Sequence, residues 1–316
     1  MTALAPPESV VDYSGFDFEG LWPGREKVSE IEREVVAGAL SRGDPRRLLE
    51  IGTGFGRLLP ALIGLGGEVV ATDMDLGSLE SISSSRTSPR VRRVAANLFH
   101  LPFRDASFTG ATMIRVYHHL LEPGSALREL GRVLRGGARL VVSYKPSPSI
   151  GSVVYDVGRA LRREARPFRS ITFARGPVVL DAEPFPIRSS SRREFEGSAR
   201  SAGWTVAGQS GLGLEEYTLL RHAPARWFIR LGSALSGAPG FPTRFAVLER
   251  SGVAVGHDLP ALESILACPR CRTDRPEWWS VEAPRCDACG YVGRRSHDVL
   301  DLRYVPPAAV RWQVGR

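Results

Sequence analysis

The feature that most constrains this chain is a run of three alternate glycines, Gly52, Gly54 and Gly56, directly after the short apolar stretch Arg47-Leu48-Leu49-Glu50-Ile51. Alternate glycines let a backbone turn tightly and let a ligand approach without Cβ interference. An apolar run ending in glycines reads as a buried parallel strand feeding a helix. A second such run, Glu68 to Thr72, closes on Asp73, 21 residues after Gly52. A carboxylate at that place accepts hydrogen bonds from a ribose diol in nucleoside-binding α/β folds. The loop reads G-x-G-x-G, not the G-x-G-x-x-G that seats a pyrophosphate on a helix N-terminus.

Around this loop, periodicity predicts alternating helices and strands. Val28, Ile31, Val35, Val36 and Leu40 recur at helical spacing over 25–42. A helix over about 57–65 tolerates Pro60 in its first turn. Strands are expected at 47–51, 68–73, 91–96, 108–114 and 138–144, with helices at 76–84 and 124–134. This order implies an α/β fold, a Rossmann-like doubly wound, mostly parallel sheet, with ligands at the strand C-terminal ends. Beyond Lys145 the pattern weakens. Ser189-Ser190-Ser191 with Glu194 predicts a helix N-terminus running to about Ser201. A strand is expected from Gly203 to Ala207, and Leu212–Leu231 reads as apolar and open to a helix. Glycine, serine and proline suggest a boundary near 254–260, giving a main domain over 1–253 and a small one over 254–316.

The net charge is +8, and residues 151–253 carry the excess, with 15 Arg against 9 Asp or Glu. A basic face suits RNA or an anionic surface; a solvated Arg-rich surface fits equally, since Lys occurs only at Lys27 and Lys145. No apolar run approaches the roughly 20 residues a membrane span needs. The start lacks the basic and apolar regions of a signal peptide, so a cytoplasmic protein is expected. The four cysteines sit together near the C-terminus, which points to metal binding over spread disulfides.

Residues from about 45 to 145 resemble the core of class I S-adenosylmethionine-dependent methyltransferases, especially the quinone-biosynthesis type. The resemblance rests on Leu48 to Gly56, Asp73, Leu101-Pro102-Phe103-Arg104-Asp105-Ala106-Ser107-Phe108, His118-His119-Leu120 and Ala126 to Gly137. It implies that Gly52, Gly54 and Gly56, with Thr53 between them, pass under the methionine and sulfonium of the cofactor. Glu50 would orient the loop and the amino group, Asp73 would hold the ribose hydroxyls, and Met74 would pack on adenine. Asn97, just before Leu98 in the same stretch, stands where the family usually has Asp; its amide oxygen would accept from the adenine amine. Thr109 likewise replaces a usual Asp.

The strand end at 114 faces the cofactor's methyl in such folds, so Arg115, Tyr117, His118 and His119 are the candidates for catalysis. Either histidine suits a general base, because imidazole titrates near neutrality; capping and packing suit the pair as well. Arg115 suits an acidic substrate, the cofactor carboxylate or a surface ion pair. Arg25 and Tyr13 are weaker candidates for closing over the cofactor. The Asn/Asp-Pro-Pro-Tyr of many amide-nitrogen methyltransferases is missing, since Ile114-Arg115-Val116-Tyr117 stands there.

Cys268-Pro269-Arg270-Cys271 and Cys286-Asp287-Ala288-Cys289 form two C-x2-C knuckles separated by 14 residues. Four thiolates suit one tetrahedral, structural Zn²⁺, and a segment this short gains from a metal staple. Residues 264–303 also resemble the small zinc-ribbon activator that partners tRNA, rRNA and release-factor methyltransferases. The acceptor thus stays open between a small molecule and an RNA or translation protein, with a non-catalytic scaffold as a third reading. The oligomeric state stays open too.

Overall fold

The computed structural model describes residues 9–12, 17, 19–147, 153, 157, 177–179, 186–213, 223–238, 240–252 and 258–313. The elements in chain order are β1 (Ser9–Asp12), α1 (Glu26–Leu40), β2 (Arg47–Ile51), α2 (Leu59–Ile63), β3 (Glu68–Asp73), α3 (Leu76–Glu80) and β4 (Val91–Ala95). Then come β5 (Phe108–Met113), α4 (Pro123–Val133), β6 (Leu134–Pro146), β7 (Pro177–Val179), β8 (Pro186–Ser190), α5 (Arg192–Ser201) and β9 (Trp204–Leu212). The chain continues through α6 (Ala225–Ala234), β10 (Thr243–Arg250), β11 (Arg294–Ser296), β12 (Val299–Asp301) and β13 (Val310–Gln313).

The main sheet runs β11-β12-β4-β3-β2-β5-β6-β10-β9, with β7 and β8 branching from the end of β6. From β12 to β6 all neighbours are parallel. β10 is antiparallel to both β6 and β9. Strand order reverses between β2 and β5, which leaves a crevice above their carboxyl ends. The sheet is mostly parallel and doubly wound, as expected. β1 and β13 form a separate parallel pair.

Each face of the sheet has its own core. On one face α1, α2, α3 and α6 bury Ile31, Leu59, Leu79 and Phe228 against Leu48, Val69, Ala71 and Val141. On the other, α4 and α5 bury Leu127, Leu130 and Phe195 against Leu49, Val70, Met113 and Val142. The cysteine segment joins this second core through Leu262, Ile265, Leu266, Trp278 and Leu302. It also pairs with the chain at Phe103, which bridges Leu266. Ala267 N donates to Pro102 O at 2.9 Å and Arg104 N to Ile265 O at 2.8 Å.

The early elements match their expected bounds to within a few residues. α5 begins with the expected capping box, Ser191 with Glu194. The strand from Trp204 runs on to Leu212, so a helix does not start there; α6 begins at Ala225, and 214–222 lie outside the described residues. β10 was unanticipated, because its apolar run is only four residues, Phe245 to Leu248, between Arg244 and Glu249, and shows no period of its own. Thr109, in place of a family Asp, uses its hydroxyl to accept from Arg47 N and donate to Arg47 O, both at 3.0 Å.

Candidate functional site

The glycine loop leaves β2 at the reversal of strand order. Gly52, Gly54 and Gly56 all have positive φ, at 69°, 52° and 79°. A Cβ on Gly52 would lie 2.2 Å from Val116 Cγ2, so this glycine lets the turn after β5 close against the turn after β2. Around Gly54 a Cβ would meet nothing within 4 Å, so its face opens on free space. Asp73 ties the loop to the end of β3: Gly54 N donates to Oδ2 at 2.8 Å, and Asp75 N donates to Oδ1 at 2.9 Å. Burial pushes the Asp73 carboxyl up, against these backbone donors. Each oxygen keeps a further lone pair for a hydroxyl donor.

Glu50 lies beneath the loop, 2% exposed, and its Oε2 has no hydrogen-bond partner among the described residues. Burial pushes its pKa up to about 8, against the pull of Arg57. A buried carboxylate oxygen without a donor is costly and marks a place where a ligand donor belongs. The hydroxyl of Thr53, also buried, lies beside this carboxyl and adds to the pull against burial.

Beside Glu50, two guanidiniums share one carboxylate. Arg57 Nη2 meets Glu32 Oε2 at 2.5 Å and Arg115 Nε meets Glu32 Oε1 at 2.9 Å. Both cations lie over the Trp22 ring, at 4.1 and 5.1 Å from its centroid. Arg115 has φ 61°, and its N–H donates to Ser143 Oγ at 2.7 Å. With Glu50 ionised, the four charges cancel, which suits a zwitterionic amino-acid group. Glu32, Arg57 and Trp22 were not singled out in the sequence. One signal was available: Glu32 interrupts the buried stripe of α1 between Ile31 and Val36.

The other candidates separate. His118 and His119 stand side by side with ring centroids 4.0 Å apart. His118 is buried; desolvation, then His119, Lys145 and Arg115, hold its pKa well below the usual range, so it stays neutral. Tyr117 is 1% exposed and packs on Phe195 and Tyr144 at 5.2 and 6.1 Å, as part of the core of that sheet face. Asn97 is also buried, and its Oδ1 already accepts from Phe99 N at 3.1 Å, capping the short turn Leu98–His100. That oxygen keeps a second lone pair, the one the adenine amine would need. Met74 and Leu98 follow β3 and β4 at the same sheet edge. Arg25 precedes α1, and Tyr13 lies outside the described residues.

The thiols of Cys268, Cys271, Cys286 and Cys289 all lie within 4.8 Å of one another. Cys268 Sγ is 3.6 Å from Cys289 Sγ, and Cys271 Sγ is 3.5 Å from Cys286 Sγ. These spacings suit the four corners of a tetrahedral thiolate site. A hydrogen bond from Thr273 holds the Cys271 thiol down to about 6, while burial pushes Cys268 up to about 12.

Residues 49–142 match the family model described as a methyltransferase domain. The demethylmenaquinone methyltransferase of Mycolicibacterium paratuberculosis is 30% identical over 176 residues, covering 54% of this chain and 73% of that protein. The chain belongs to the S-adenosylmethionine-dependent methyltransferases. Within that family, the demethylmenaquinone methyltransferase of Clavibacter sepedonicus is 36% identical over 123 residues, 38% of this chain and 50% of its relative. An O-methyltransferase of Aspergillus nomiae is 30% identical over 141 residues, covering 41% and 63%. This methyltransferase also shares its fold with the 1,6-didemethyltoxoflavin-N1-methyltransferase of Burkholderia thailandensis, solved with S-adenosylhomocysteine bound. That chain is 17% identical, with 74% of this chain and 83% of that one covered and a TM-score of 0.51. No helix among the described residues is long and apolar enough to cross a membrane.

Proposed function

We propose that this enzyme methylates a small-molecule acceptor, with residues 1–253 as the catalytic domain and 254–316 as a structural zinc ribbon in a cytoplasmic protein. The observation that carries the cofactor half of this reading is the unpartnered oxygen of buried Glu50 beneath the open face of Gly54. When bound, S-adenosylmethionine supplies a methyl made electrophilic by its sulfonium. Glu50 accepts from the amino group, and the Arg57–Arg115 pair faces the carboxylate. Gly52, Thr53, Gly54 and Gly56 line the methionine arm, Asp73 accepts from the ribose diol, and Met74 and Leu98 flank the adenine. The remaining task for the protein is to align the acceptor and exclude water. Trp22 helps with the second by covering the charged cluster. His119, half-buried next to neutral His118, is the candidate to take a proton from a hydroxyl acceptor. Cys268, Cys271, Cys286 and Cys289 would hold the zinc.

The quinone-type and O-methyltransferase relatives support a small-molecule acceptor. A second reading, an RNA or translation-protein methyltransferase with its activator fused, is favoured by one observation. The cysteine segment adds β12 in parallel to the edge strand β4, as a separate activator chain would have to do to cover that edge. Labelled S-adenosylmethionine and fractionated cell extract separate the two. Label in solvent-extractable material supports the first reading, and label in RNA or protein replaces it with the second. Binding of the cofactor without label in any fraction would return the chain to the scaffold reading.

A further inference from the structure

Three strand ends lie level at the carboxyl edge of the sheet: Asp73 pairs with Ala95, and Ala95 with Asp301. Leu302 N then donates to Ala95 O at 2.9 Å, continuing the ladder one residue past the strand. The segment leaving the cysteine module is thereby delivered to the residues that follow β3 and β4. Arg303 Nη1 donates to the carbonyl of Met74 at 3.2 Å. The same guanidinium is held by Asp301 through two bonds of 2.8 Å, and buried Asp301 also accepts from Arg294 Nε at 2.9 Å. The carbonyl of Tyr304 accepts from Asn97 Nδ2 at 2.8 Å, while the Tyr304 ring meets His100 edge-on at 5.1 Å.

We propose that Arg303 and Tyr304 form a clasp that fixes both walls of the adenine end of the cofactor site. They are positioning residues: they act through Met74 on one wall and through the Asn97–His100 turn on the other. The proposal rests on the cofactor reading above. It also gives the departure at Asn97 a physical reason. The position needs an acceptor toward Phe99 N and a donor toward Tyr304 O, and an amide offers both where an ionised Asp offers only acceptors. A methyltransferase without this tail has no carbonyl there to satisfy.

The test uses the full-length, zinc-loaded protein, with S-adenosylhomocysteine and adenosine as probes in calorimetry. Asn97→Asp restores the residue usual in the family yet sets a carboxylate against the Tyr304 carbonyl. The expected result is weaker binding of both probes by about tenfold, the scale of one lost hydrogen bond. Arg303→Ala is expected to match it. Glu50→Gln, at the opposite end of the site, is expected to weaken S-adenosylhomocysteine and leave adenosine unchanged. Amide exchange over residues 74–100 supplies a readout without ligand, and it is expected to quicken in both clasp variants while zinc content stays constant. Asn97→Asp that binds both probes as tightly as the parent, or tighter, overturns the clasp alone. A parent protein that binds neither probe overturns the cofactor reading and the clasp with it.

Discussion

The two edges of the central parallel sheet are finished by different means. At β6 the chain adds β10 and β9, with pairing that runs unbroken from Arg244 to Glu249 against β6 and, with one shift of register between Val247 and Leu248, the whole length of β10 against β9. Arg250 then stitches the outer end, donating to Gly131 O and Gly203 O at 2.9 Å each. At β4 the added strand β12 is only three residues long, and β11 behind it is no longer. That edge relies on side-chain chemistry: the cysteine quartet, and Arg272 paired with Glu129 of α4 at 2.6 and 3.0 Å. An unpaired strand edge invites aggregation, so both must be covered. One is covered by length of ladder, the other by a cap that depends on thiolates and a half-buried ion pair.

The contrast breaks most readily at the proposed zinc. Stripping zinc with a chelator, or replacing Cys268 and Cys286 by serine, is expected to lower the melting temperature by about 10 °C or more. Truncating Phe245 to alanine in β10 costs about 3–5 kcal/mol but leaves the zinc content at one per chain. Melting followed alongside metal analysis checks both, and an unmoved melt after chelation would erase the distinction between the edges.

Glu129→Ala comes next. It leaves Arg272 and Arg132 facing a missing carboxylate and Leu101 N without its acceptor, for about 2–4 kcal/mol by denaturant titration. Burial alone would raise the Glu129 pKa, but hydrogen bonds from Arg132 and Arg272 outweigh it and hold it low. A carboxylate depressed in the fold contributes stability above its unfolded pKa and loses it as pH falls through the folded one. The parent should therefore lose ribbon docking on acidification below about pH 4, and the variant should lack that part of the acid transition.

The site between the edges sharpens the comparison. Glu50, held at about 8, carries more protons folded than unfolded, so its burial costs stability as pH rises toward 8. Binding an ammonium would ionise it. Affinity for S-adenosylhomocysteine should then rise up to about tenfold per pH unit below 8 and level off above, with proton release seen by calorimetry in two buffers. The same profile should persist in Glu129→Ala, since Glu50 is buried by β2 and its neighbours and not by the ribbon. The smallest effect is expected at Asp298→Ala, whose side chain is 90% exposed beside Arg93: under about 0.5 kcal/mol in the same titration.

What the sequence showed and hid follows the same division. β2 and β3 were legible to the residue because buried parallel strands are apolar runs ended by glycine or acid, and the glycine loop announced its positive φ in its composition. The cysteine spacing announced the quartet. β10 was hidden because its apolar part, Phe245 to Leu248, is too short to tell from a turn of buried helix and ends in charges with no glycine signal. Glu32, Arg57 and the Arg303–Tyr304 clasp were hidden for another reason. Each acts through a partner far along the chain, and a lone charge on a helix or a tail carries no mark of what it will meet. Tyr117, adjacent to two histidines, looked chemical in sequence; only packing on Phe195 and Tyr144 shows it as core.

The late arrival of β12 shapes how the molecule is made. Its partner β4 is complete at Ala95, about 200 residues before Val299 leaves the ribosome. At roughly 5–20 residues per second, the free side of β4 waits some 10–40 s for its cover while the rest of the sheet is still being made. During that interval the nascent chain offers an open hydrogen-bonding seam to any passing strand.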